Sequence, residues 1–195
     1  MTDTRTRILE AALACFVERG VAATTIDAVR AASGASTGSL YHHFGDRQGL
    51  IAAVHGWLLD DYHAGFLAVL DDQDDPVVGV AEVVRFHVGW CTARPDAARF
   101  LLEEPGPTSS QLGGEEVAAA NAVFLRRVLA WLRPHVRYGA VRELDVATAY
   151  ALWLGPAQER CRLWVRGRAA EPDEAEIEVL AEAAVRSLCT PEQQR

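Results

Sequence analysis

Residues 24–54, TTIDAVRAASGASTGSLYHHFGDRQGLIAAV, set two short amphipathic stretches on either side of a tight turn and start a third. Thr25 is placed to cap a helix carrying Ile26, Val29 and Ala32, which Ser33-Gly34 ends. Beyond Gly34-Ala35-Ser36, residues Thr37 to His43 read as a second short helix, and Asp46 caps a longer one from Arg47 to about Leu70. Gly34 permits the turn and Ala35 is small enough to tuck beneath it. Upstream, Ile8, Leu9, Ala12, Leu13, Phe16 and Val17 make one helical stripe that Gly20 stops. Two short helices around a tight turn, the second rich in small and polar residues, form a helix-turn-helix pattern.

With Leu40 and Phe44 turned to the core, Thr37, Gly38, Ser39, Tyr41, His42 and His43 point outward. Hydroxyls and imidazoles there suit phosphate oxygens and base edges, and Gly38 lets a backbone come close. The helix N-termini at Thr25 and Asp46-Arg47 offer backbone N–H groups to phosphates. The competing reading is a plain three-helix bundle. An outer face that is uncharged and hydroxyl-rich, and a Tyr41 without a core role, argue against it.

The remaining chain continues as helices, with no long alternating strand pattern. Stripes run from Val77 to about Thr92, Asp96 to Leu102, Glu115 to about Tyr138, Asp145 to Arg168 and Asp173 to Cys189. Pro134 should kink the third of these before Gly139 ends it, and Gly155-Pro156 strains the fourth. DDQDD at 71–75 reads as a solvated turn, and EEPGPTSSQLGG at 103–114 as a loop. The expected fold is all-α with about nine helices. A three-helix helix-turn-helix domain occupies residues 1–50, and a helical domain follows over 51–195.

Composition narrows the classes. The 195 residues are 50% apolar and 24% charged, as in a soluble chain able to bury a core without disulfides. No run of eighteen apolar residues occurs, and the first ten residues lack a signal-peptide pattern. Cys15, Cys91, Cys161 and Cys189 are scattered without a CxxC pair, which points to a reducing cytoplasm and away from a zinc ribbon. Residues 1–50 hold five Arg and five acids, so the whole net charge of −8 lies in residues 51–195. An acidic body repels polyanions, which confines any nucleic-acid contact to the first fifty residues. Every one of the 19 cations is Arg, a feature that fits codon bias.

The 24–54 segment resembles the DNA-binding segment of tetracycline-repressor-like (TetR) regulators. Thr24-Thr25, Gly34-Ala35-Ser36, the run Gly38 to Phe44 and Arg47 all fall in register with that family's pattern. The resemblance implies that Thr37 reads a base, that Ser39, Tyr41 and His43 hold phosphates and that His42 faces the groove. It implies further that Thr25 and Arg47 hold phosphates from their helix N-termini, Arg47 standing where the family usually has Lys. Three departures stand out: Thr37 where Lys or Arg is frequent, Gln48-Gly49 for an acidic-then-small pair, and Arg30 where a small residue is common.

A dimer reading two half-sites about 34 Å apart is the usual solution for such a unit. The last two stripes supply a candidate interface, with Tyr150, Leu154, Ala157, Cys161 and Trp164 on one and Ile177, Leu180, Ala184 and Leu188 on the other. Periodicity alone equally allows them to face the chain's own core. The middle helices are rich in aromatics, as apolar ligand pockets and ordinary cores both are. The resemblance implies an inducer pocket there, assigned to Phe86, Trp90, Phe124, Trp131, Trp153 and Gln158.

Catalytic motifs are absent: no GxSxG, Walker loop, HExxH or dinucleotide fingerprint occurs. His87 and Cys91 at i, i+4, and His55 and His63 eight apart, are the pairs on which a metal- or thiol-dependent helical enzyme would rest. Ordinary buried side chains account for both, so neither metal nor cofactor is implied. The expected protein is a cytoplasmic transcriptional regulator. It acts as a homodimeric repressor of a palindromic duplex operator, released by a small molecule, without catalysis or membrane contact. A ligand-independent DNA-binding dimer is the other alternative.

Overall fold

Side-chain caps start helices at Thr25, Ser36, Asp46, Asp75, Asp145 and Asp173. The computed structural model describes residues 3–104, 106–107, 111 and 113–191, so part of the expected 103–114 loop lies outside the described residues. Among the described residues ten helices form: α1 (Thr4–Arg19), α2 (Ile26–Ser33), α3 (Thr37–Phe44), α4 (Arg47–Asp71), α5 (Pro76–Ala93), α6 (Pro95–Glu103), α7 (Gly114–Arg137), α8 (Val146–Trp153), α9 (Gly155–Val165) and α10 (Glu174–Leu188). The pairing of Val141 with Cys189 is an isolated bridge.

Thr25 accepts from the Ala28 N–H at 3.2 Å, Ser36 from Ser39 at 3.1 Å, and Asp46 from Gly49 at 2.8 Å. Each cap satisfies a first-turn N–H that has no partner within its helix. Gly34 takes the left-handed conformation (φ 66°) and its N–H closes α2 on the Arg30 carbonyl, which is why a glycine stands at that turn. Asp173 and Glu176 form a reciprocal capping box on α10. The helix expected over 145–168 is two. Pro156 has no N–H to continue the ladder and sits in the first turn of α9, so α8 ends at Trp153 and the count becomes ten.

The chain divides into two compact units, Met1–Asp61 with Arg99–Ala122, and Tyr62–Ala98 with Val123–Arg195. A boundary at residue 50 would fall inside α4, so the helix-turn-helix segment is one part of a larger first unit. In that unit α1 packs on α2 and α2 on α3. Ile8, Leu9, Phe16, Val29, Leu40 and Phe44 are buried, with Phe16 stacked on Phe100 at 5.6 Å.

In the second unit α5 packs against α9 and α10, and α10 against α8. Val80, Val83, Val84, Val88, Trp153 and Leu188 fill this core. The Arg85 guanidinium of α5 donates Nε and Nη2 to the two oxygens of Glu178 of α10, each at 2.6 Å. That planar fork sets the register of the two helices, and the hydrogen bond from Arg85 holds the Glu178 carboxyl below its usual range.

Candidate functional site

Leu40 and Phe44 anchor α3 from its inner side and leave the opposite side open. Thr37, Gly38, Tyr41, His42 and His43 are exposed and Ser39 is half-buried. Tyr41 keeps 53% of its surface accessible, unusual for an aromatic with an apolar core beside it. His42 and His43 lie edge to face at 5.3 Å. Thr25 is also exposed, at the N-terminus of α2. α3 therefore presents a short row of hydroxyl, phenol and imidazole groups, with glycine as its smallest member. A Cβ built at Gly38 would meet only the Ser36 hydroxyl oxygen, at 3.9 Å, so nothing within the protein demands a glycine there.

Arg47 differs from the expectation of a phosphate contact. Its guanidinium turns inward and donates to the carbonyls of Thr24 (2.9 Å), Ala22 (3.4 Å) and Val21. The buried Thr24 hydroxyl donates to the Cys15 and Gly20 carbonyls at 3.0 and 2.9 Å. Together they tie off the end of α1 and the 20–24 turn, which places the Thr25 cap of α2. In the sequence Thr24 stood out only as the first member of the Thr24-Thr25 pair. Its neighbour Thr25 does that work, and no local pattern announces the inward hydroxyl.

The proposed interface stripe is corrected by burial. Leu154, Ala157, Cys161, Ala184 and Leu188 lie in the core of the second unit, 6% exposed or less, so they cannot meet a partner. Tyr150 is 49% exposed, and Trp164, Ile177 and Leu180 are half-buried. The helical period identified an apolar face correctly, but α5 is what covers it.

The expected pocket aromatics pack on one another. Phe86 lies against Tyr62 (5.5 Å) and Phe66, Trp90 against Tyr62 (5.3 Å), and Phe124 stacks on His63 at 3.9 Å. Trp131 stacks on Trp153 at 6.2 Å, and their indole N–H groups donate to the Gln73 and Val80 carbonyls. Gln158 hydrogen-bonds the Tyr150 hydroxyl. Trp153 also lines a cavity of about 440 Å³ with Leu132, Val136, Glu143 and Leu188. A second cavity, of about 480 Å³, lies in the first unit beside His43, Trp57, Asp60 and Glu116.

Of the two histidine pairs, His55 is buried in the first unit against Phe100, and His63 stacks on Phe124 in the second. His87 and Cys91 do meet, with Nε2 to Sγ at 3.9 Å, and Cys161 of α9 joins them. The Tyr62 hydroxyl hydrogen-bonds His87 Nδ1 at 2.8 Å. Cys91 and Cys161 share a hydrogen bond that pushes the Cys91 thiol up and holds the Cys161 thiol down. Cys161 was missed as a member of this group because seventy residues separate it from Cys91.

Residues 8–54 match the family described as "Bacterial regulatory proteins, tetR family". The chain is 40% identical over 147 residues to the HTH-type transcriptional repressor KstR2 of Rhodococcus jostii, covering 75% of this chain and 72% of that one. Against KstR2 of Mycobacterium tuberculosis it is 29% identical over 108 residues, 52% of this chain and about half (54%) of that relative's length. The fold is that of a TetR family transcription regulator from Marinobacter aquaeolei VT8, with a TM-score of 0.79 at 18% identity over 95% of both chains. None of the described helices is long and apolar enough to cross a membrane. By its helix-turn-helix, its all-α fold and its likeness to a curated repressor along most of both chains, the protein belongs to the tetR family of bacterial regulatory proteins.

Proposed function

We propose that this TetR-family protein is a cytoplasmic transcriptional repressor that binds a palindromic operator as a homodimer and leaves it when a small molecule binds the second unit. The observation that carries the DNA half is the open side of α3, where Thr37, Gly38, Tyr41, His42 and His43 are exposed above a buried Leu40 and Phe44. Thr37 and His42 face the bases, while Ser39, Tyr41, His43 and the N-terminus at Thr25 hold phosphates. The names of the relatives support repression. For the dimer, the apolar residues that α8 and α10 leave exposed are the available surface: Val146, Tyr150, Leu152 and Val179. The effector would lie among Phe86, Trp90, Phe124, Trp131, Trp153 and Gln158, and shift the population away from the recognition-helix spacing that DNA requires.

Selection of bound duplexes from a random pool tests the reading. A palindrome should emerge, and Tyr41→Ala should bind it roughly tenfold more weakly, the effect of about one lost polar contact. Enrichment of no sequence would overturn the proposal.

Arg47 gives a separate expectation. Arg47→Ala removes the donors from three carbonyls at the 20–24 turn and should cost about 1.5–3 kcal/mol of stability, read from urea denaturation. The slope of log affinity against log salt should stay as in the parent. A slope flatter by about one unit would instead mark a direct phosphate contact.

A further inference from the structure

We propose that His87, Cys91 and Cys161 form a binding site for a thiophilic divalent metal ion of the zinc class, inside the second unit. His87 and Cys91 stand one turn apart on α5 and point the same way, and α9 brings Cys161 against them. A ring nitrogen of His87 and the two sulfurs all lie within 4.8 Å of one another, and all three residues are buried. Zinc bonds of about 2.3 Å to sulfur and 2.0 Å to nitrogen set a ligand-to-ligand edge of roughly 3.6 Å in a tetrahedron. The 3.9 Å from Cys91 Sγ to His87 Nε2 closes to that edge by tenths of an ångström.

The imidazole is already oriented for the task. Tyr62 occupies Nδ1 at 2.8 Å, which fixes the ring and leaves Nε2 toward the sulfurs. Metal-bound histidines use such an outer partner to set tautomer and direction, and Tyr62 is the positioning residue here. The donor set excludes magnesium and calcium, which take oxygen ligands. Charge points to a divalent ion: two thiolates and a neutral imidazole balance it, so the loaded site adds no net charge to an apolar interior. Binding releases the thiol protons to solvent. Three protein donors leave the fourth position to an exogenous ligand.

The site is independent of the DNA reading and is tested on the metal itself. Full-length protein, stripped with a chelator and kept in a non-thiol reductant, is titrated with zinc against a chromophoric competitor and with cobalt as a spectroscopic probe. One ion per chain and a thiolate-to-cobalt charge-transfer band are expected. The band should vanish in Cys91→Ser/Cys161→Ser and persist in Cys15→Ser/Cys189→Ser, whose sulfurs lie outside the cluster. Tyr62→Phe keeps all three ligands and should weaken zinc binding about tenfold. If the Cys91/Cys161 variant fails to fold by circular dichroism, the parent spectrum and Tyr62→Phe decide. No cobalt–thiolate band in the folded parent overturns the site, as does a band that survives the loss of Cys91 and Cys161.

Discussion

Gly38→Ala is expected to leave the protein at least as stable as the parent, yet to bind the selected operator roughly ten- to a hundredfold more weakly, the range of one good groove contact. The two halves of that expectation come from different physics. Within the protein, an added methyl meets only the Ser36 hydroxyl oxygen at 3.9 Å, an ordinary contact. Alanine in place of glycine inside a helix gains up to about 1 kcal/mol, because the unfolded chain has fewer conformations to lose. Outside the protein, the residue sits on the exposed side of α3 between Thr37 and Tyr41, the side proposed above to meet the duplex. The fold therefore accepts alanine at this position, and any loss of operator affinity in the variant reports on the partner. Urea midpoints and fluorescence anisotropy on the operator at one fixed salt concentration separate the two effects. Unchanged operator affinity in Gly38→Ala would remove this position from the interface.

The DNA-reading segment was legible because everything that makes it is local. A capping hydroxyl, a glycine able to take φ 66° and an alternation of buried and exposed positions all lie within four residues of what they control. The misread features share the opposite property. Periodicity showed that Leu154, Ala157 and Cys161 share a face, but not that α5 rather than a second chain covers it. Arg47 has donors that suit a phosphate oxygen and a carbonyl oxygen equally, and only the fold decides that residues 21, 22 and 24 supply the acceptors. The break at Trp153-Leu154-Gly155 lay between these cases. Pro156 announced strain, and whether strain becomes a kink or a new helix depends on whether a neighbour holds the two halves in line. The metal candidate shows the same limit, since two of its three donors were visible as His87 and Cys91, while the third arrives by tertiary packing alone.

Acid should weaken this fold through one histidine. His55 is 2% exposed, its ring lies 4.5 Å from that of Phe100, and its Nε2 has no hydrogen-bond partner among the described residues. Burial without a compensating acceptor penalises the imidazolium, and the group's pKa falls to about 4. In the unfolded chain the same side chain titrates near 6.5. Above that value neither state carries the proton and His55 contributes no pH dependence. Between 6.5 and about 4 the unfolded chain takes up a proton that the native protein refuses, so stability falls as pH is lowered through this window. The loss amounts to about 3 kcal/mol when complete, at about 1.4 kcal/mol per unit of difference. His55→Leu removes the titrating group and keeps an apolar side chain against Phe100. Urea denaturation from pH 7 to pH 4 should then show the variant losing markedly less stability than the parent, the remaining slope belonging to carboxylates such as Glu176 and Glu178 that their arginine partners hold ionised. Equal slopes in the two proteins would mean that the native state admits the proton after all. The first unit would then have to open around His55 at a cost below that of global unfolding.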